Sequence, residues 1–258
     1  MKKIESSQNG LVKHWRKLVS TRKEREKHHE FLVEGHHLVE EALKTPENVL
    51  TLIIREGTDL PFKWNLDGIS IIEVTHEISK ELTDTEHSQG IFAHCKQPTF
   101  DLNKETDFKK FLLIDAVQDP GNVGTMIRTA DAAGIDAVIL GKGTADAYNP
   151  KTIRSAQGSH FHLPIVRGEL MEWVEKLQSK NIQVYGTSLA RATSVQEIQK
   201  TDSFALIMGN EGAGLSPELL EATNLNVKIP ILGKAESLNV AVATGILLYH
   251  LTDFSSAS

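Results

Sequence analysis

Two polar segments that contain several glycines directly adjoin apolar runs in the C-terminal half of the chain. The first spans residues 206–217 and reads LIMGNEGAGLSP, and the second spans residues 227–242 and reads VKIPILGKAESLNVAV. Polar loops rich in backbone groups are where α/β sheets bind ligands, at the ends of their strands. The two segments therefore predict a binding site in this half of the chain.

A third segment, residues 119–130, reads DPGNVGTMIRTA. Its Pro-Gly step predicts a tight turn, and Asn122 is suited to capping a helix that begins at residue 123. Arg128 lies six residues beyond Asn122 among apolar neighbours, which predicts a largely covered guanidinium. A covered arginine needs an acidic partner or an anionic ligand. We expect Glu211 to be that partner.

Several common site types are absent from the sequence. The phosphate-binding pattern G-x-x-x-x-G-K-[ST] and the dinucleotide pattern G-x-G-x-x-G after a strand do not occur, so neither route leads to an ATP or NAD site. No His-Glu-x-x-His motif occurs, and the histidine pairs at 28–29 and 36–37 are adjacent, which is poor chelating geometry; no metal is expected. The single cysteine, Cys95, excludes an internal disulfide and a cysteine-rich zinc site.

Charge is distributed unevenly along the chain. The 258 residues carry a net charge of −6, yet residues 2–27 hold nine Lys or Arg against three Glu, a local excess of +6. One interpretation is a solvated helix face with mixed charges. The other is a phosphate-contacting patch for an RNA partner. No stretch reaches about 18 uninterrupted apolar residues and no apolar segment follows the basic start, so neither a transmembrane helix nor a signal peptide is expected.

Strand and helix signals alternate on both sides of residue 100. Upstream, the pattern predicts a small α/β domain; its strands are 30–34, 49–54, 69–74 and one from 91, and its helices are 36–43 and 76–82. Downstream, it predicts a mostly parallel sheet covered on both faces. The expected strands there are 111–114, 137–140, 163–166, 184–187, 204–208 and 227–232, and the expected helices are 123–133, 149–156, 169–177, a short one capped by Ser216, and 237–254.

The last predicted helix, capped by Ser237, is apolar on nearly every side. A helix of this kind must be buried all round, by its own domain or by a second subunit. Its small residues would permit close approach of another helix, and we favour a subunit interface.

Three segments together resemble the SpoU (TrmH-type) RNA 2′-O-ribose methyltransferases of the SPOUT superfamily. They are 119–124 with 128–130, 209–215, and 229–230 with 237–240, in the order found in that family. Residues 149–158 also resemble the family's loop between the first two motifs, although Gln157 stands where a small residue is expected. Residues 31–35, followed by a helix, resemble more loosely the start of the substrate-binding domain that many members carry.

The resemblance implies an α/β fold in which a SPOUT-type parallel sheet ends in a C-terminal trefoil knot, a rare exception to unknotted topology. The implied domains are an N-terminal RNA substrate-binding α/β domain (1–98), a linker (99–109) and a methyltransferase domain (110–258). The knot would bind S-adenosylmethionine, and members are dimers, here through the C-terminal helix. By residue, the resemblance assigns cofactor contacts to Gly209, Ile229 and Leu238, and catalytic roles to Asn122, Arg128, Glu211, Ser237 and Asn239.

Methyl transfer to a ribose hydroxyl is an in-line displacement that depends on positioning and charge. Arg128 would engage the 2′-hydroxyl by family analogy. Because a guanidinium has a pKa above about 12, we expect it to hold the adjacent phosphate rather than to accept a proton. Ribosomal RNA is the expected substrate, with transfer RNA as an alternative, and a cytoplasmic location fits. A catalytically silent RNA-binding relative and an unrelated doubly wound enzyme, such as a dehydrogenase, remain alternatives.

Overall fold

A computed structural model describes residues 2–84, 88–102, 105, 107–189 and 192–254. Its contacts divide the chain into two compact units, each with its own sheet. Unit 1 comprises Met1–Thr99 and Tyr148–Phe161, and unit 2 comprises Phe100–Ala147 and His162–Ser258. Residues 148–161, which were predicted within the C-terminal domain, are thus clustered with the N-terminal part of the chain. The domain boundaries at 98 and 110 stay a prediction.

Among the described residues, twelve strands and nine α-helices follow one another along the chain. The strands are β1 (Lys2–Ile4), β2 (Glu30–Glu34), β3 (Val49–Arg55), β4 (Ile71–Val74), β5 (Ile91–Lys96), β6 (Lys110–Ile114), β7 (Ala137–Leu140), β8 (Ile165–Arg167), β9 (Gln183–Thr187), β10 (Thr193–Ser194), β11 (Phe204–Met208) and β12 (Leu225–Lys228). The helices are α1 (Gly10–Ser20), α2 (Arg22–His28), α3 (His36–Leu43), α4 (His76–Leu82), α5 (Pro120–Ala132), α6 (Pro150–Ala156), α7 (Leu170–Ser179), α8 (Pro217–Ala222) and α9 (Val240–Leu251).

Unit 1 contains a five-stranded mixed sheet in the order β1-β4-β3-β5-β2. Strand β5 runs antiparallel to both of its neighbours, and the other pairs are parallel. Helix α1 buries Val12, Trp15 and Leu18, a spacing that places all three side chains on one face of the helix. They pack with α4 in one hydrophobic cluster with sheet residues that include Leu32 and Phe92. This packing fixes α1 and leaves its charged face toward solvent.

Unit 2 contains seven parallel strands in the order β10-β12-β9-β11-β6-β7-β8. The central strands β6, β11 and β7 are buried almost throughout, which matches their short, continuous apolar runs. The prediction of a mixed α/β protein with a parallel sheet is confirmed. In the predicted linker, Leu102 is 7% exposed and belongs to the hydrophobic core of unit 2, so this part of the segment is packed.

Several predicted boundaries are wrong. Strand β12 ends at Lys228 instead of residue 232, because Pro230 lacks the N–H that a continuing ladder requires. Helix α5 begins at Pro120, so residues 119–122 are not a turn before a helix but its cap and first turn. Helix α9 begins after Asn239 and ends at Leu251, which shortens the predicted 237–254 helix at both ends.

Four elements lie outside the predicted strand and helix ranges: β1, α1, α2 and β10. The helix face considered for residues 2–27 gave no helix bounds. Helix α2 is almost entirely charged and buries only Arg25, so it carries no apolar period to detect. Strands β1 and β10 contain three and two residues, fewer than an alternating pattern needs. In the described part of the chain, no helix combines the length and the apolar character that crossing a membrane demands.

Candidate functional site

Three loops of unit 2 leave the carboxyl ends of parallel strands. The first leads from β6 to α5, the second from β11 to α8, and the third from β12 to α9. Since β6 and β11 are adjacent and parallel, their carboxyl ends lie at the same edge of the sheet. This is the edge at which open α/β sheets bind ligands.

The first loop presents the amide of Asn122 in the first turn of α5. Asp119 caps this helix: its carboxylate accepts a hydrogen bond from the Asn122 backbone N–H at 2.9 Å. Pro120 occupies the first helical turn, where its missing N–H costs nothing. The prediction that Asn122 caps the helix is therefore wrong, and its side chain is available for other contacts.

The second loop, residues 209–215, is a closed turn built on Asn210. Asn210 and Gly214 exchange both backbone hydrogen bonds at 3.0 Å, and the Asn210 side-chain oxygen accepts from the Gly212 N–H at 2.9 Å. The Asn210 amide also donates to the Ala116 carbonyl at 2.8 Å, which ties the turn to the end of β6. At Gly209 a Cβ atom would lie 2.4 Å from the Gly214 carbonyl carbon, so only glycine fits.

Glu211 projects from this turn onto the beginning of α5. Its carboxylate accepts hydrogen bonds from the backbone N–H groups of Gln118 and Asp119, both at 3.3 Å, and from the Asn122 amide at 3.1 Å. Partial burial alone would raise the pKa of Glu211, but the hydrogen bonds from Asn122 and the backbone outweigh it, and the pKa is lowered. Glu211 is thus held as an anion near the positive end of the α5 dipole.

Asn239 extends this arrangement to the third loop. Its side-chain oxygen caps α9 by accepting from the N–H groups of Ala241 at 2.9 Å and Val242 at 3.2 Å. Its amide donates to the side-chain oxygen of Asn122 at 3.0 Å. Asn239, Asn122 and Glu211 therefore form one hydrogen-bonded chain that joins all three loops. We call this chain the amide relay.

Arg128 and Ser237 do not join the amide relay. Arg128 is exposed, and its guanidinium makes no hydrogen bond or ion pair with the described residues. The predicted Arg128–Glu211 pair is wrong, because Glu211 is engaged at the first turn of α5 and Arg128 lies in a later turn. Ser237 is also exposed without a described hydrogen bond, and Asn239 rather than Ser237 caps the last helix.

The third loop, residues 229–238, is open. Within the described residues, its backbone N–H and carbonyl groups make no hydrogen bond. Leu232 is 99% exposed and Leu238 is 37% exposed, while Ile229 is half-buried. Free backbone polar groups beside exposed apolar side chains suit a ligand that carries both polar and apolar groups. Residues 229 and 238, predicted as cofactor contacts, lie at the two ends of this loop.

Comparison with known proteins agrees with this geometry. Residues 109–249 match the SpoU rRNA Methylase family, and residues 9–93 match the MRM3-like substrate binding domain. The chain is 54% identical, over 97% of its length and 99% of the relative's, to a 23S rRNA (guanosine(2553)-2′-O)-methyltransferase of Bacillus subtilis. The chain belongs to the SpoU rRNA methylase family.

Solved structures of related proteins extend over nearly the whole chain. An rRNA methyltransferase from Sinorhizobium meliloti with bound S-adenosylmethionine superposes with a TM-score of 0.85 at 31% identity, covering 97% of both chains. The SpoU methyltransferase AviRb from Streptomyces viridochromogenes, also with the cofactor, gives 0.83 at 31% identity over 95% of this chain and 97% of that one. The resemblance stated from sequence motifs is therefore confirmed at the level of the family.

Two residues that organise this SpoU site were missed from the sequence. Asp119 and Asn210 hold the first and second loops, although neither was assigned a role. Both carried a usable signal. An aspartate directly before a proline at a helix start is a typical cap, and an asparagine followed two residues later by glycine is typical of a tight side-chain-closed turn.

A separate cluster in unit 1 brings together His14, Glu30 and His94. The Glu30 carboxylate lies 2.6 Å from His14 Nε2 and 2.8 Å from His94 Nε2, which is hydrogen-bond spacing. Trp15 donates its indole N–H to His94 Nδ1 at 3.3 Å, so the proton of neutral His94 is on Nε2, the atom a metal would need. These hydrogen bonds tie α1 to the sheet, and the proton on His94 Nε2 disfavours a metal ion at this cluster.

Proposed function

We propose that this protein transfers a methyl group from S-adenosylmethionine to a ribose 2′-hydroxyl of 23S ribosomal RNA. The observation that carries the proposal is the amide relay, which joins the three family motifs through Asn122, Glu211 and Asn239. The name of the Bacillus subtilis relative specifies guanosine 2553 of 23S rRNA, and we infer the corresponding ribose as the target here. We propose that the protein acts in the cytoplasm, because ribosomal RNA is made and assembled there.

The open third loop would hold the cofactor through backbone groups between Ile229 and Leu238, with Gly209 at the neighbouring strand end. Bound S-adenosylmethionine supplies an electrophilic methyl group on a sulfonium centre. The lack of described hydrogen bonds in residues 229–238 supports this assignment, since a cofactor would satisfy groups that the chain leaves unpaired. The side chains there are uncharged apart from Lys234 and Glu236, which suits recognition by the backbone.

Arg128 is the group we assign to the RNA. Its exposed guanidinium has no described protein partner, so it can bind a phosphate next to the reacting ribose and orient the 2′-hydroxyl. A guanidinium does not accept a proton near neutral pH. Glu211 is a poor proton acceptor as well, because its hydrogen bonds lower its pKa. Its role is to hold Asn122, and through it Asn239, in a fixed orientation. We assign Ser237 to the RNA or the cofactor, because it is exposed beside Leu238.

We also propose that the loops around Gly209 and residues 229–238 form the trefoil knot expected for this family. Strand β12 is inserted next to β9, and its chain then returns to Asn122 through Asn239.

A homodimer through α9 is the proposed assembly. Val242, Ile246 and Tyr249 are 53%, 42% and 49% exposed, and their spacing places them on one face of α9. The single chain leaves this stripe uncovered, and a second copy would supply the burial that the apolar sequence of α9 predicts. The Tyr249 hydroxyl donates to the Ala132 carbonyl at 3.5 Å. Ala132 shares a face of α5 with Arg128, so the dimer would bring Arg128 close to the partner subunit.

The test is methyl transfer from labelled S-adenosylmethionine to deproteinised 23S rRNA, with transfer RNA as the competing substrate and mapping of the 2′-O-methylated nucleotide. We expect methylation of the 23S rRNA alone. Exclusive labelling of transfer RNA, or RNA binding without methyl transfer, would overturn the proposal in favour of a tRNA enzyme or a silent RNA-binding relative.

The residue-level test is Arg128→Ala. Loss of a preorganised charge at the reacting group lowers kcat by about 10²-fold or more. Binding of S-adenosylmethionine, followed by calorimetry, stays within a few-fold. Lys180→Ala, which removes one exposed cation from the C-terminal end of α7, is the control and retains wild-type turnover. Wild-type kcat in the Arg128→Ala enzyme would remove Arg128 from the reaction.

A further inference from the structure

Eight of the nine cations of residues 2–27 separate into two groups in the folded chain, and the ninth, Lys2, is exposed on β1. The first group is engaged in structure: Lys3 pairs with Glu56, Arg16 pairs with Glu81, and Arg22 pairs with Glu26. Arg25 is 2% exposed and donates to the carbonyl of Leu18. These contacts account for all three arginines of the segment, so the arginines explain the packing of α1 and α2 rather than a ligand.

The second group consists of lysines that lie on α1 and α2. Their side chains are exposed and make no described hydrogen bond or ion pair, and we call them the lysine face: Lys13, Lys17, Lys23 and Lys27. The acidic residues of the segment do not neutralise them. Glu5 pairs with Lys3, Glu26 with Arg22, and Glu24 with His28 at 3.5 Å. The local excess of positive charge is therefore presented to solvent.

The spacing of the lysine face runs against helix stability. Lys13 and Lys17 are four residues apart on α1, and Lys23 and Lys27 are four residues apart on α2, so each helix carries a repelling pair. The dipole of each helix favours Lys17 and Lys27, which lie in last turns. It does nothing for Lys13 in the first half of α1, and it opposes Lys23 near the beginning of α2. Folding alone does not explain these two lysines.

We propose that the lysine face binds the sugar-phosphate backbone of the RNA substrate and supplies affinity rather than chemistry. The inference rests on the proposed function, because that function makes RNA the partner. Lysine is a suitable residue for it: a flexible point charge contacts phosphates without reading the base sequence. A polyanion would also relieve the repulsion within both pairs, whereas a neutral partner would leave it in place.

The test compares two double variants in binding and in turnover. Lys13→Ala/Lys23→Ala removes the two lysines that the helices do not explain, and alanine preserves helix propensity. Lys180→Ala/Lys200→Ala removes two exposed cations of unit 2 and is the matched control. Binding of a fluorescein-labelled oligouridylate is measured by anisotropy between about 50 and 200 mM salt, because counterion release makes the slope report phosphate contacts.

Each lost contact with single-stranded nucleic acid lowers the magnitude of the slope of log K against log salt by about 0.7, so the Lys13/Lys23 variant loses about 1.4. If the variant and the wild type bind equally at 1 M salt, this slope difference makes the variant about 25-fold weaker at 0.1 M salt. With 23S rRNA as substrate, KM rises and kcat is unchanged, while thermal melting shows that the fold is intact. The control keeps the wild-type slope.

Three results would overturn the inference. An unchanged slope in the Lys13/Lys23 variant would show that this surface does not touch RNA. An equal loss in the Lys180/Lys200 control would reduce the effect to overall charge. A fall in kcat at constant KM would place the lysines in the reaction rather than in binding. If the wild-type protein methylated no RNA, the proposed function itself would fail, and that result is visible before any variant is made.

Discussion

Asn239 performs two tasks that one substitution can separate. Its side-chain oxygen caps α9, and its amide donates to Asn122 at 3.0 Å. In Asn239→Asp the carboxylate still caps the helix, since aspartate is as good a cap as asparagine, but the donor to Asn122 is lost. In Asn239→Ala both are lost. The pair of variants therefore distinguishes the amide relay from simple helix capping.

The hydrogen bonds of the amide relay run in one direction, so Asn122 cannot compensate when the Asn239 donor is lost. Glu211 accepts only, so Asn122 must turn its amide nitrogen toward Glu211, at 3.1 Å, and its oxygen toward Asn239. In Asn239→Asp, Asn122 cannot rotate its amide without placing an oxygen against the Glu211 carboxylate. We expect a loss of about 0.5–1.5 kcal/mol for the missing hydrogen bond. Asn239→Ala adds about 1 kcal/mol for the cap.

Thermal unfolding and steady-state methyl transfer measure the two tasks separately. At about 2–4 °C per kcal/mol for a chain of this size, Asn239→Asp lowers Tm by a few degrees, and Asn239→Ala lowers it further. Both variants lower kcat by about 10²-fold, the cost of a misplaced reacting group. Ser216→Ala removes the cap of α8, where the serine accepts from the Leu219 N–H, and it lowers Tm without lowering kcat. Wild-type turnover in Asn239→Asp would reduce Asn239 to a helix cap.

Two further predictions concern assembly and pH. Ile246→Glu places a charge in the exposed stripe of α9, and we expect it to convert the proposed dimer to a monomer with impaired turnover, as measured by light scattering and methyl transfer. Met171→Glu, at a 38% exposed position on α7, is the control and keeps the wild-type oligomeric state. A dimeric Ile246→Glu protein would exclude this interface. Burial lowers the pKa of His94 below 6.5, so the unfolded chain binds the proton first and the free energy of unfolding falls as pH drops below about 6.5. Burial alone would raise the pKa of Glu30, but its hydrogen bonds to His14 and His94 lower it. Protonation of Glu30 therefore extends the loss of stability toward lower pH. His94→Gln flattens this dependence in denaturant titrations between about pH 7 and 5, and parallel profiles for the two proteins would refute the assignment.

The fold of unit 2 was predictable where apolar residues form compact runs. Strand β11 and helix α5 were both expected near their observed positions, because a buried element must show its burial in residue type. The bounds of helices α1 and α2 were not predicted, since the pattern of α1 is a narrow stripe of three buried residues and α2 has no stripe. The ends of elements depended on caps. Asn239 rather than Ser237 caps α9 because its oxygen accepts from Ala241 and Val242, and its amide also contacts Asn122, 117 residues away.

The error at Arg128 has a different cause. Its apolar neighbours showed that α5 is largely covered, and the prediction extended that burial to the whole helix. The buried residues Val123, Met126, Ile127 and Ala130 lie on one side, whereas Thr125 and Arg128 are exposed. This periodicity is present in the sequence and indicates that Arg128 faces outward. The exposure of the guanidinium makes it more useful for RNA, because it has no protein partner to displace.

Some polar and apolar groups of the site have partners among the described residues of the single chain, and others have none there. The amide relay, the caps of α5 and α9 and the turn on Asn210 are complete, so the frame of the site forms without a ligand. The backbone of residues 229–238, the guanidinium of Arg128 and the apolar stripe of α9 are left open. Each open group suits a different binder: a cofactor, a phosphate and a second subunit. Local features that folding does not explain are expected at functional sites, and a finished frame lets binding free energy go into orienting the reactants instead of ordering the protein.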